Sequence, residues 1–193
     1  MMKFLDKYNI LLASNSPRRQ ELLAQMGVKF SVIVKQGIDE SFPVDLPAEN
    51  VPEYLANKKA KAYISDLKDN DLLITSDTVV VSDGKIIGKP HSEDEAREMI
   101  SSLSGRAHTV YTGVAIYTTT KSISFTCDTK VYMSAMTDEL INYYVEKYKP
   151  LDKAGAYGIQ EWIGLTSIHR IEGSFQNVMG LPTQRLFDEL SKF

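Results

Sequence analysis

Cysteine is nearly absent. Cys127 is the only one in 193 residues, so no internal disulfide can form and no thiolate zinc set can be assembled. That fits a reducing compartment, and the cytoplasm is the expected location. The three histidines, His91, His108 and His169, show no metal-ligand spacing and read as structural or surface residues. Long apolar runs are missing as well. The opening stretch MMKFLDKYNILLASNS is broken by Asp6, Lys7 and Asn9, so neither a secretory signal nor a membrane span is expected. There is no GxxxxGK[ST] phosphate loop, no internal repeat and no low-complexity linker. Nor is there a basic surplus. The formal net charge is −3, which disfavours duplex nucleic acid as the main partner.

The rest of the chain has the makings of a core, with 43% hydrophobic residues. Its length suits one domain over residues 1–193, with room for two lobes around a central cleft. Strand-like stretches are expected at 9–14, 30–34, 72–81, 108–118, 122–133 and 166–171. Helical patterns fall at 17–26, 52–67, 92–103, 137–148 and from Thr183 on. Ser16 suits an N-cap, Pro17 the first helical position and Gly27 the position just past the helix end. Asp83-Gly84 marks a hairpin turn into KIIGKP, and Ser92 with Glu95 forms a capping box. Residues 150–164 read as a shaped loop. Helices, strands and hairpins intermixed in this way imply an α/β fold with a mixed sheet.

Within LLASNSPRRQELL, Arg18 and Arg19 fall in the first turn of a helix, where the backbone is already positive. Two cations there are unfavourable in an empty site and favourable around a bound anion. Ser14 and Ser16 add hydroxyls at the same corner. The plainer alternative is two solvated arginines with Ser16 as a simple cap. Asp77 interrupts LLITSDTVVV, a run otherwise suited to a buried strand. A carboxylate there must be paired, hydrogen-bonded, metal-bound or at an exposed end. It could serve as a Mg²⁺ ligand or a general base, or merely cap local backbone. Lys89 in IIGKPH could meet a phosphate or be a surface lysine. Glu40 in GIDESFP could be a second metal carboxylate or loop polarity. Lys59 lies among the helical lysines Lys58 and Lys61, usually the sign of a solvated face. In PLDKAGAYGIQ, Gly155 and Gly158 permit close backbone approach, and Gln160 carries the donor and acceptor that suit a base edge or a sugar. Several cations beside an acid suited to a metal point to a nucleotide.

In this order LLASNSPRRQELL, DESFP, LANKKAKAY, SDTVVVSDGKIIGKP, LSGRAHTVYTGVAI, PLDKAGAYGIQ and GSFQNVMGLP resemble the Maf family nearly end to end. These are nucleoside triphosphate pyrophosphatases also described as septum-formation inhibitors. The resemblance implies a Maf/ITPase-like α/β fold, a mixed, largely antiparallel elongated sheet flanked by helices. It implies water attack on the α-phosphorus, giving monophosphate and pyrophosphate, and it is compatible with a homodimer. By motif, the family's positions fall on Ser14, Arg18, Arg19, Glu40, Lys59, Asp77, Lys89 and Gln160, with Ser16 at the same corner. Glu40 and Asp77 would hold Mg²⁺ or Mn²⁺. Lys59 and Lys89 would neutralise phosphoryl charge. SDT and DKAGAYGIQ are similar to the branch acting on dTTP and UTP, so Thr78 and Gln160, with Arg19, would choose the base. Modified pyrimidine triphosphates share that chemistry. The family's cellular label leaves a second reading, a non-enzymatic regulator of cell division or septum formation acting through a protein partner.

Overall fold

A computed structural model describes residues 3–193. The chain divides into two compact units. The first contains residues up to 77, 112–127 and 180–193; the second contains 78–111 and 128–179. Three strands, β3 (Asp71–Ser82), β5 (Ala107–Tyr117) and β6 (Ser122–Met133), contribute residues to both. Only four residues separate β5 from β6, neighbours in the sheet, and so short a link requires an antiparallel hairpin. Among the described residues no helix is long and apolar enough to cross a membrane.

In the first unit, β1 (Asn9–Leu12) pairs in parallel with β2 (Ser31–Val32) on one side and with β3 on the other. The register sets Leu12 opposite Ile74, and the Ala13 N–H continues the ladder to Ile74 O at 2.9 Å. The mixed sheet and its flanking helices agree with the α/β expectation. The helix that leaves β1 is α1 (Pro17–Gln25), with Gly27 at φ 75° just past its end, a left-handed turn that glycine makes without a Cβ clash. Ser16 occupies the N-cap position but its side chain caps nothing. Instead Ser14 Oγ accepts the Ser16 N–H at 3.2 Å.

Helix α2 (Val51–Lys61) is fixed to the sheet at two points. Gly113 on β5 admits its N-terminus, since a Cβ there would lie 2.2 Å from Glu53 N and from Pro52 C. One turn further on, Thr75 Oγ1 of β3 donates to Ala56 O at 2.7 Å. Ala56, Ala60, Tyr63, Leu73 and Ala115 form the buried cluster between helix and sheet. The helix pattern over 52–67 therefore stops earlier than its sequence suggests. Ile64–Asp66 form a separate 3₁₀ turn, where a β-branched residue, serine and aspartate favour non-helical backbone. The last helix, α7 (Thr183–Leu190), also belongs to this unit.

In the second unit, β4 (Lys85–Ile87) pairs antiparallel with β3 through the Asp83-Gly84 turn. β7 (Ile168–Glu172) pairs antiparallel with β6. Helix α3 (Glu93–Leu103) starts at Ser92, whose Oγ accepts the Glu95 N–H at 3.1 Å. The Glu95 carboxylate reaches the His91 N–H rather than the cap's own. Thr137 caps α4 (Asp138–Tyr148) in the same way. Two five-residue helices, α5 (Trp162–Thr166) and α6 (Phe175–Met179), complete the unit.

Candidate active site

The site in the first unit is built from β1, β3, α1 and α2. On a strand, residues two apart share a face, so Thr75 and Asp77 point the same way. On a helix, residues three apart share a face, so Ala56 and Lys59 do too. The Thr75–Ala56 hydrogen bond therefore brings Lys59 over Asp77. Lys59 Nζ lies 2.5 Å from Asp77 Oδ1 and 3.0 Å from Glu40 Oε1. Both Lys59 and Asp77 are largely enclosed, with side chains 15% and 14% exposed, whereas Glu40 is 59% exposed on its loop. Asp77 is thus a mid-strand acid with a charged partner, and Lys59 is no member of a solvated stripe.

Glu40 reaches this point because its loop is tethered. Lys58 Nζ donates to Asp39 Oδ2 and to Ser41 O, each at 2.7 Å, gripping the residues on both sides of Glu40. The Lys58 hydrogen bond and those from Ser41 hold the Asp39 carboxyl well below the usual range. This tether went unforeseen from sequence; its signal is the pair of consecutive lysines facing a D-E-S loop.

At the α1 corner, Ser14 is buried and Arg18 and Arg19 are half-buried. Arg19 Nε donates to Gly180 O at 2.8 Å, and its NH1 lies 3.5 Å from Ser14 Oγ. Ser76 Oγ, on the other face of β3 from Asp77, donates to the same Gly180 carbonyl at 3.1 Å. Burial pushes the Arg19 pKa down. Asp77 pulls it up, Arg18 pushes it down and Glu40 pulls it up again. Three neighbouring charges therefore act on the Arg19 guanidinium, which remains protonated. No acidic residue occupies the first turn of α1. Three cations (Arg18, Arg19, Lys59) against two carboxylates leave a surplus positive charge at the N-terminal end of α1, which suits a polyanion.

The two carboxylate oxygens bonded to Lys59 Nζ lie within about 5.5 Å of each other, the two bond lengths end to end. Among the described residues there is no group of three or more His, Cys, Asp or Glu placed to hold a metal ion. A pair of carboxylates without a third protein ligand fits a hard divalent cation that takes its remaining oxygens from water and phosphate, as Mg²⁺ does.

The remaining expected residues belong to the second unit. Thr78 follows Asp77 on β3 and is half-buried. Lys89 is exposed in the loop after β4. The neighbouring Gly88 carbonyl accepts the Gly155 N–H at 2.9 Å, so the Lys89 loop and the 150–160 loop lie side by side. Gly155, at φ 70°, packs on Val80, and a Cβ there would sit 3.1 Å from the Val80 side chain. Gln160 is exposed at the tip of a turn. Of the histidines, His108 is buried with Nε2 2.7 Å from Tyr157 OH, while His91 and His169 lie at the surface. Cys127 is half-buried in β6, and Trp162 packs edge-on against Tyr143.

Fold and site together define an α/β protein with a charged cluster suited to a polyanion and a divalent cation. The chain belongs to the family of Maf-like proteins, whose model matches residues 9–193. It is 51% identical over 192 residues to a dTTP/UTP pyrophosphatase of Phocaeicola vulgatus, covering all of both chains. It is 50% identical to a dTTP/UTP pyrophosphatase of Porphyromonas gingivalis, covering 100% of this chain and 98% of that one. Among solved structures, a HAM1 protein from Coxiella burnetii is 13% identical, with a TM-score of 0.44 over 67% of this chain and 74% of that chain.

Proposed function

We propose that the protein is a nucleoside triphosphate pyrophosphatase that hydrolyses dTTP and UTP to the monophosphate and pyrophosphate. The observation that carries this reading is the Lys59 ammonium held between Asp77 and Glu40, beside Arg18 and Arg19. Full-length relatives named for this activity support it. An interaction surface does not need an enclosed acid–base cluster of this kind, which favours an enzyme over a purely regulatory protein.

The roles proposed for the residues combine the motif positions with the contacts of the Lys59 cluster. Arg18, Arg19 and the α1 N-terminus bind phosphate oxygens, and Ser14 and Ser16 supply hydroxyls at the same corner. Asp77 and Glu40 would hold Mg²⁺ or Mn²⁺, which would neutralise phosphate charge and supply Lewis acidity. Asp77, paired with Lys59 at 2.5 Å, takes a proton from the attacking water. The water oxygen bonds to the α-phosphorus, the bond from that phosphorus to the bridging oxygen breaks, and pyrophosphate leaves with the bonding pair. Lys59 and Lys89 counter the charge that builds on the phosphoryl oxygens and the leaving group. Thr78 and Gln160 choose the base, and a 5-substituted uracil presents the same edge as thymine.

A panel of nucleoside triphosphates with Mg²⁺ or Mn²⁺, assayed for pyrophosphate, tests the reading. dTTP and UTP are expected to give monophosphate and pyrophosphate in equal amounts. Orthophosphate without pyrophosphate would refute it.

A further inference from the structure

Gln160 stands on a turn whose two ends are held by one side chain. The Glu161 N–H donates to Gly158 O at 3.0 Å, closing the turn over Ile159 and Gln160. Behind it lies the Tyr144 hydroxyl, on a side chain of α4 with no solvent exposure. That hydroxyl accepts the Gly158 N–H at 3.0 Å and donates to Glu161 Oε2. The other carboxylate oxygen, Glu161 Oε1, is 3.0 Å from Lys153 Nζ. Lys153 is 8% exposed, unusual for a lysine, and also reaches Asp152 Oδ1 at 2.7 Å. Gly158 is required by this packing, since a Cβ there would lie 2.7 Å from Glu161 Cδ and 3.0 Å from Lys153 Cε. Burial, then the Glu161 carboxylate, push the Tyr144 phenol up, so the hydroxyl keeps its proton at any working pH.

An enclosed ion pair with a tyrosine is a weak source of stability, because desolvation offsets most of its attraction. What it provides is fixed geometry. A glutamine amide reads a base only if it is held in place; otherwise ordering it on binding costs affinity and relaxes selectivity.

We infer that Tyr144, Glu161 and Lys153 form a clamp that positions Gln160 and so sets pyrimidine selectivity. They are positioning residues that touch neither substrate nor metal, and the inference rests on the pyrophosphatase reading with Gln160 at the base. Tyr144→Phe removes both hydroxyl bonds and keeps the ring. It is expected to raise KM for dTTP and UTP about five- to tenfold, with kcat within about twofold, and to shrink the preference over dCTP by a similar factor. Glu161→Gln keeps an acceptor for Tyr144 but loses the charge on Lys153, so its KM rise is smaller and in the same direction. Unchanged KM and selectivity in both variants overturns the clamp, as does a fall in kcat shared by every nucleotide. If the wild type hydrolyses dTTP and UTP in that case, the activity reading stands and only the clamp falls. A wild type that hydrolyses no nucleoside triphosphate overturns both. Should Tyr144→Phe fail to fold, Glu161→Gln decides on the same readouts.

Discussion

Lys59→Met is the most informative single change, because it acts on two properties in separable ways. The ammonium is bonded to Asp77 at 2.5 Å and Glu40 at 3.0 Å. Exposed ion pairs contribute at most about 1 kcal/mol, and breaking a buried one costs about 3–5 kcal/mol. Lys59 and Asp77 are about 15% exposed and lie between these limits, and the 59% exposed Glu40 adds little. The expected loss is therefore about 2 kcal/mol, read as a fall in the urea midpoint without divalent cation. The variant also frees two carboxylates from a competing cation, so Mg²⁺ should bind more tightly. At a hundred times its Kd, a ligand specific to the folded state adds about 2.7 kcal/mol, enough to restore the midpoint. Turnover should not recover, since the charge countering the phosphoryl oxygens is gone; kcat is expected to fall about 10²–10³-fold with Mg²⁺ present. Equal stabilisation of wild type and variant by Mg²⁺ would refute the reasoning, because Lys59 and the cation would then not share the carboxylates.

Three further outcomes follow. Asp77→Asn keeps the shape of the side chain and removes the proton acceptor, so pyrophosphate release should fall at least about 10³-fold while circular dichroism is unchanged. Arg19→Met loses the bond to Gly180 O, and should lower the unfolding free energy measured in urea by about 1–2 kcal/mol as well as raise KM. His108 is buried neutral, its pKa pushed down to about 4 by burial. The unfolded chain therefore binds more protons between pH 6.5 and 4, and stability falls as pH drops through that window. The wild type should lose about 2 kcal/mol from this group between pH 7 and 5, and His108→Gln should lack that component in urea titrations at the two pH values.

Long periodic stretches and capped starts were legible in the chain. The starts of α3 at Ser92 and α4 at Thr137 fall where their hydroxyls predict, and the Asp83-Gly84 hairpin forms as its turn residues require. Helices α5 and α6 were not, because five residues are too few to show a helical period. The strand expected over 30–34 shrinks to Ser31–Val32, since only two residues pair with β1. For the site, the residue types were readable but their partners were not. Three lysines within four positions of α2 look alike in sequence. Only the packing of Ala56 on Thr75 turns Lys59 toward Asp77 and leaves Lys58 to grip Asp39. The carbonyl of Gly180 that anchors Arg19 carries no residue-type signal at all. The arginine conflict at the start of α1 was the most legible feature, and Arg19 proves to be tied to backbone and sensed by two carboxylates rather than solvated.

The central claim is that water attacks the α-phosphorus of a pyrimidine triphosphate. Hydrolysis of dTTP in oxygen-18 water, followed by mass spectrometry of the products, tests it directly. One labelled oxygen is expected in the monophosphate and none in pyrophosphate. Label in pyrophosphate with an unlabelled monophosphate would place the attack on the β-phosphorus and contradict the account.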